Sequence, residues 1–300
     1  MIIYDYLRHF FAVCVIVIHM TSSQFSEEFN VVVRDAGGYV DGCVFGFFLI
    51  SGFFFRPPGS FKKLCESGLK RLIVPYVLFS IAYGLILVFL GLANIDELFF
   101  KILTGRGGAM QLYFLPFLFV VQIFFGFLEI KVKANILVFL QVFFTLQFFG
   151  LSLIFPTSGS TGGDYLLLYM YSLCFLVGRV LKFLEGRKRK SMFLGALLLL
   201  VIPVGCFDPR YLDVGFVLAL FLIVQFLQDW LPDARLPGSG GVYLLHTPIL
   251  NFAILAVLLK FDFPEWLVLS LTIVLTYLLA VLFTRWVAWV APEAKWILLE

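Results

Sequence analysis

Three histidines and a small number of intramembrane charges are the chemically distinctive residues of an otherwise apolar chain. The stretch "RHFFAVCVIVIH" begins with Arg8 and ends with His19. Eleven helical residues turn through about 1100°, roughly 20° beyond three full circles, so on a helix both side chains share one face, about 16 Å apart along the axis. An imidazole can act as a general base near neutral pH, and a guanidinium can bind phosphate.

Two neighbours of Arg8 have different expected positions. Asp5 falls on the same side of the helix, close enough to pair with Arg8, whereas His9 points elsewhere. A structural explanation is also open: Arg8 would extend to the headgroups and His19 would lie in the opposite interface.

Polar residues in two later segments add further candidates. Asp41 begins "DGCVFGFFLISGFFF" at about the depth of His19, where it would orient the imidazole or simply favour the helix dipole. Deeper in that segment, Ser51-Gly52 is a small pair that permits close helix packing. His246 in "GVYLLHTP" is expected at the level of Arg8, so we expect that His19 and His246 do not share one catalytic role.

The composition predicts an all-α, polytopic membrane protein. Of 300 residues, 62% are hydrophobic and 14% are charged, against about a quarter charged in soluble domains. No stretch between spans is long enough for a soluble domain, so residues 1–300 are predicted to form a single membrane domain. About ten segments have the length and apolarity of a membrane helix: 2–21, 39–55, 72–93, 110–128, 134–154, 164–184, 191–206, 213–229, 241–259 and 264–290.

The connections between these segments predict the topology. Lys and Arg concentrate after the even-numbered spans, as in the run "GRKRK", which places both termini in the cytoplasm. We interpret that run as a topology signal and not as a ligand site. The predicted loops 22–38 and 155–163 would lie on the other side, bordering an aqueous entrance or simply solvated.

Other function classes have little support in the sequence. The net charge of +3 is scattered between apolar segments, so nucleic-acid binding is not expected. Five cysteines without C-x-x-C spacing indicate neither a disulfide framework nor a zinc site, and no metal is expected.

Five segments together resemble the integral membrane acyltransferase-3 family, which O-acylates surface glycans. They are "YDYLRHFFAVCVIVIH", "FFLISGF", "RLIVPY", "LYFLPFLF" and "GVYLLHTPIL", in the family's order over about residues 4–250. The chain departs from the family where Phe45-Gly46 replaces a frequent Asp or Pro, and it lacks the extra esterase-like domain of some members.

The resemblance implies transfer of an acyl group, often acetyl, from a cytoplasmic acyl-CoA to a sugar hydroxyl on a glycan or lipid-linked carrier. The expected location is the bacterial cytoplasmic membrane, with no permanently bound cofactor and with polysaccharide assembly machinery as a possible partner. His19 would be the general base, assisted by Asp41, and Arg8 would hold the donor. The remaining donor-side or channel-lining candidates are Arg71, His246, Tyr243 and Ser51.

Two other functions are compatible with the same residues. Intramembrane charges and glycine-rich spans also occur in transporters, so a flippase for a polar lipid-linked molecule is the first alternative. The second is a non-catalytic membrane partner of a polysaccharide assembly complex. The sequence does not specify the acceptor sugar, its hydroxyl, the acyl chain or the oligomeric state.

Overall fold

The computed structural model of the chain is helical throughout the part that it describes. That part comprises residues 3–91, 93–104, 109–131, 163–184, 186–205, 210–227, 229–230, 236 and 238–299, and it contains no β-strand. The predicted all-α class is therefore confirmed for these residues. The predicted fifth span, 134–154, and nearly all of the predicted loop 155–163 lie outside them.

Thirteen α-helices are described in these ranges, together with short π and 3₁₀ turns. The first seven are α1 Ile3–Ile18, α2 Glu27–Val40, α3 Cys43–Phe54, α4 Phe61–Gly68, α5 Val74–Phe89, α6 Ile95–Leu103 and α7 Phe114–Lys131. The others are α8 Gly163–Phe183, α9 Arg187–Gly205, α10 Arg210–Leu227, α11 Ser239–Leu245, α12 Asn251–Leu258 and α13 Glu265–Val290.

Five helical segments among the described residues are long and apolar enough to cross a membrane. They are Glu27–Phe54, Phe61–Phe89, Gln111–Lys131, Ser239–Phe261 and Glu265–Val290. Each overlaps a segment predicted from hydropathy, which supports the membrane assignment. The full number of ten crossings and the cytoplasmic position of both termini stay predictions.

The predicted loop at 22–38 is wrong, because α2 occupies most of it. Glu27 and Glu28 lie in the first turn of α2, where negative charge suits the helix dipole. The Asn30 side chain donates to the carbonyls of Ser22 and Phe25, at 2.7 and 3.2 Å, and so ties the preceding turn to the helix. Glu27 and Glu28 therefore belong to the start of a helix and not to a solvated loop.

The chain forms two compact units. The first unit contains residues 1–8, 41–64 and 121–234, and the second contains residues 9–40, 65–120 and 235–300.

Close packing of α3 on α8 is the main contact of the first unit. A Cβ atom at Gly52 would lie 1.9 Å from the Phe175 carbonyl oxygen, and one at Gly178 would lie 2.0 Å from the Leu49 carbonyl oxygen. Only glycine allows such an approach of two helix backbones, as the Ser51-Gly52 pair predicted.

A buried ion pair reinforces the same contact. Arg179 on α8 binds Glu129 on α7 through two bonds of 2.7 Å, and the side chains are 5% and 7% exposed. The Arg179 guanidinium also donates to the carbonyls of Gly52 and Phe55, at 3.3 and 2.5 Å, at the C-terminal end of α3. One side chain therefore joins three helices.

In the second unit, α13 packs against α11 and α12. It also contacts α1 and the turn that follows α1. Ser26, after α1, is hydrogen-bonded through its backbone N–H and its hydroxyl to Glu265 at the start of α13. Further along α13, Tyr277 contacts His9 of α1. The contacts run in opposite order along the two helices, so α1 and α13 are antiparallel.

Breaking the Arg179–Glu129 pair should strongly destabilise the protein. We expect Glu129→Gln to cost about 3–5 kcal/mol, because it leaves a buried guanidinium without its counter-charge. The matched control is Arg187→Gln, which breaks a more exposed pair with Asp229 and should cost about 0–1 kcal/mol. Thermal unfolding in detergent measures the stability of both variants. Equal decreases in their unfolding temperatures would contradict the structural role of Arg179.

Candidate active site

His19 and His246 lie side by side in the second unit. Their ring centroids are 5.4 Å apart and the ring planes are inclined by 31°. His19 directly follows α1 and is half-buried, whereas His246 follows α11 and is fully buried. An accessible imidazole therefore borders one that is completely enclosed.

The tautomer of His246 follows from its hydrogen bonds. Its Nδ1 atom lies 3.1 Å from the Val242 carbonyl oxygen and 2.9 Å from the Tyr243 carbonyl oxygen. A carbonyl can only accept, so Nδ1 carries the proton and Nε2 of the neutral ring carries a lone pair. Nε2 has no hydrogen-bond partner among the described residues, which makes it a buried acceptor beside His19.

A break in the helix directly after His246 exposes backbone groups that other side chains bind. Thr247 has the non-helical dihedral angles φ −132° and ψ 147°. The Gln111 amide donates to the Thr247 carbonyl, and the Tyr243 hydroxyl donates to the Gln111 carbonyl. In addition, the Tyr83 hydroxyl donates to the carbonyl of Leu244. These bonds fix the backbone on both sides of His246.

Two buried amide side chains close to this break have unsatisfied atoms. Asn251 is 2% exposed, and within the described part of the chain neither of its side-chain polar atoms has a partner. The Oε1 atom of Gln111 also lacks a partner there. Because buried polar atoms normally bind protein, water or ligand, these groups are candidate contacts for a polar ligand or for water.

The expected level of His246 is wrong. The sequence predicts His246 at the level of Arg8, but the His246 ring lies beside that of His19. The reason is a hydrogen bond of 2.8 Å between His9 Nε2 and the Leu236 carbonyl, which sets Leu236 at the level of His9. The segment that leads into α11 is thus anchored beside His9, and at the other end of α11 His246 lies beside His19.

His9 is a structural residue, in agreement with its predicted orientation away from His19. It is 7% exposed, and both of its ring nitrogens are hydrogen-bonded. Nε2–H donates to the Leu236 carbonyl, so Nδ1 accepts from the Tyr277 hydroxyl at 2.9 Å. A neutral imidazole satisfies both partners.

The structure brings together only some of the predicted site residues. Tyr243 joins the two histidines, with its ring centroid 6.2 Å from that of His246. Arg71 belongs to the same unit and is exposed on the π turn Leu69–Ile73.

Three predicted residues belong to the first unit. Arg8 forms the predicted pair with Asp5 at 3.3 Å, and its guanidinium lies 4.8 Å from the ring centroid of Phe54. Asp41 is exposed in the turn between α2 and α3, and Ser51 is half-buried on α3. Their catalytic or binding roles stay predictions.

Sequence reasoning missed Gln111, Asn251 and Tyr83. An amide inside a predicted span is a recognisable signal, because polar groups in hydrocarbon usually face the protein interior. Asn251 lies five residues after His246 in "HTPILNFAIL", and Gln111 lies at the start of the predicted fourth span. Within the described ranges, no three His, Cys, Asp or Glu side chains are grouped to hold a metal.

These features define a helical membrane protein with paired imidazoles and buried amide side chains in one unit. A protein-family model described as an acyltransferase domain matches residues 1–285. The chain therefore belongs to the acyltransferase-3 family, and it is an integral membrane protein. No curated protein and no solved structure matches it.

Replacing His9 should loosen the packing of α1 against α13 and against the segment that leads into α11. His9→Phe leaves the Leu236 carbonyl and the Tyr277 hydroxyl without their buried partner, and we expect a loss of about 1–3 kcal/mol in stability. Tyr277→Phe, which removes a single hydroxyl, should cost about 1 kcal/mol. Thermal unfolding in detergent compares the two variants. An unchanged unfolding temperature for His9→Phe would contradict the structural role of His9.

Proposed function

We propose that the chain is a membrane-embedded O-acyltransferase with His19 as its general base. It moves an acyl group from a cytoplasmic acyl-CoA to a hydroxyl of a surface or lipid-linked polysaccharide. The expected acyl group is acetyl. The proposed location is the bacterial cytoplasmic membrane. The observation that carries the proposal is the contact between the half-buried His19 and the enclosed His246 in a member of an acyltransferase family.

The proposed reaction needs a general base for the acceptor hydroxyl and a general acid for the leaving thiolate. His19 serves as both. His19 takes the proton of the acceptor hydroxyl as its oxygen attacks the thioester carbonyl carbon. The carbon–sulfur bond then breaks, and the proton passes from His19 to the departing thiolate. The products are an ester and free coenzyme A, and His19 returns to its neutral form.

His246 acts as a positioning residue in this scheme. Its Nδ1–H is held by two backbone carbonyls, so its Nε2 lone pair has a fixed direction. That lone pair accepts a hydrogen bond from the protonated His19 ring, directly or through one water molecule, and so stabilises the imidazolium. A carboxylate often serves a histidine base in this way.

Asn251 and Gln111 supply polar contacts for the substrates. Their unsatisfied amide atoms are buried in the same unit as the two imidazoles. An amide N–H can donate to a carbonyl oxygen that gains negative charge during the attack, and an amide oxygen can accept from a sugar hydroxyl.

Transfer by purified protein tests the proposal. In a reconstituted assay with labelled acetyl-CoA and a glycan acceptor, we expect His19→Gln to lower kcat by about 10²–10⁴-fold. The His19→Gln protein should still insert into the membrane, and its unfolding temperature should match that of wild type. Detection of the acetyl ester by mass spectrometry separates transfer from transport. Acceptor that crosses the membrane without modification, or transfer that persists in His19→Gln, would overturn the assignment.

His246 needs a readout that distinguishes positioning from folding. His246→Leu should lower kcat with little change in the KM for the acceptor, because the lone pair acts on His19 in the transition state and not on bound substrate. His246→Gln should recover part of kcat, since its amide oxygen can also accept a hydrogen bond. A rise in KM alone would assign His246 to acceptor binding instead.

A further inference from the structure

An open polar cleft lies close to His19, in the second unit. Its walls are the turn that follows α1 and the first two turns of α2, and we name it the α2 cleft. Its volume is about 370 Å³, within the range of roughly 300–1,000 Å³ that is usual for small-ligand sites. Thr21 lines the cleft two residues after His19, so their Cα atoms are at most about 7 Å apart. The cleft therefore borders the proposed base.

Hydrogen bonds fix the walls of the α2 cleft. The Asn30 amide accepts from the Ser22 backbone N–H at 3.1 Å and donates to the carbonyls of Ser22 and Phe25. The backbone N–H and the hydroxyl of Ser26 both donate to the Glu265 carboxylate on α13, at 2.5 and 2.7 Å. These bonds tie the turn to two helices, so the cleft keeps its shape without a ligand.

Several polar side chains that line the α2 cleft are free to bind a ligand. Within the part of the chain that the structure describes, no hydrogen bond or ion pair occupies the side chains of Thr21, Ser23, Glu27 and Arg34. All four are exposed. Together they offer two hydroxyl groups, a carboxylate and a guanidinium. Sugar hydroxyls both donate and accept hydrogen bonds, so such a mixed set of groups suits a sugar.

The two charged residues of the cleft lie on one face of α2. From Glu27 to Arg34 the helix turns through about 700°, roughly 20° short of two full circles, and rises about 10 Å. The two side chains form no ion pair with each other. Asp35, the next residue after Arg34, does not line the cleft. The Arg34 guanidinium is therefore available to an external anion, and its planar fork matches a carboxylate.

We propose that the α2 cleft binds an acidic sugar of the acceptor glycan. Arg34 holds the carboxylate of the sugar, and Glu27, Thr21 and Ser23 bind its hydroxyl groups. The inference rests on the proposed function, because it names the class of acceptor that the His19 site takes. It also gives the segment 22–38 a binding role, where the sequence left the choice between an aqueous entrance and a solvated loop.

Binding of two matched disaccharides tests the proposal. The full chain in phosphatidylcholine nanodiscs is titrated by calorimetry with cellobiouronic acid, which ends in glucuronic acid, and with cellobiose, its carboxyl-reduced counterpart. We expect the acidic sugar to bind about tenfold more tightly, the effect of one charged hydrogen bond. Arg34→Gln should abolish this difference and leave the affinity for cellobiose unchanged. Arg34→Lys should retain part of the preference, because it keeps the charge but loses the planar fork.

Two variants serve as matched controls. Lys260→Gln removes an exposed cation of the same unit that does not line the cleft, and it should leave both affinities unchanged. Glu27→Gln should weaken both sugars to the same extent, whereas Glu28→Gln, outside the lining, should weaken neither. Equal affinities for the two sugars, or the same loss in Lys260→Gln as in Arg34→Gln, would overturn the acidic acceptor.

A zwitterionic lipid headgroup is the competing occupant, because its ammonium could meet Glu27 and its phosphate Arg34. Native mass spectrometry distinguishes it from a sugar. If neither sugar binds, the acceptor cleft is overturned. If phosphatidylethanolamine is then retained by wild type and lost in both Glu27→Gln and Arg34→Gln, the cleft is a lipid site instead.

The binding experiment is independent of catalysis. His19→Gln should bind the acidic disaccharide as tightly as wild type while it fails to transfer acetyl. Sugar binding together with undiminished transfer by His19→Gln would contradict the proposed base and leave the cleft standing. Transfer lost in His19→Gln, with no sugar bound by wild type, would support the base and overturn the cleft.

Discussion

Both nitrogens of the His9 imidazole are hydrogen-bonded, one to the Leu236 carbonyl and the other to the Tyr277 hydroxyl. These bonds join α1, α13 and the segment that leads into α11. They also anchor that segment beside His9, and at the other end of α11 His246 lies beside His19. The paired imidazoles, and the mechanism built on them, depend on this one structural histidine.

The helical architecture was predictable from the sequence because an apolar run of membrane length has few other stable forms in a bilayer. The pairing of Asp5 with Arg8 was predictable from helical spacing. The level of His246 was not, because hydropathy locates a span only to within several residues and says nothing of which neighbour it packs against. A contact between His9 and a carbonyl 227 positions away has no local signal.

Charge was the least reliable guide in the sequence. Glu27 and Glu28 lie within the predicted loop 22–38 and instead begin a helix. Arg179 and Glu129 have no distinctive signal in the sequence, yet they form a buried pair and Arg179 joins three helices. In each case the meaning of a charge depends on its partner, and the partner is fixed only by tertiary structure.

In the proposed mechanism, His246 acts on the reaction through His19. A double-mutant cycle on kcat measures this most directly, with His19→Gln, His246→Leu and the double variant assayed under saturating acetyl-CoA. If His246 works only through His19, the double variant should be no slower than His19→Gln alone, because the lone pair then has no imidazolium to stabilise. Losses that multiply in the double variant would show that the two histidines act independently and would contradict the claim.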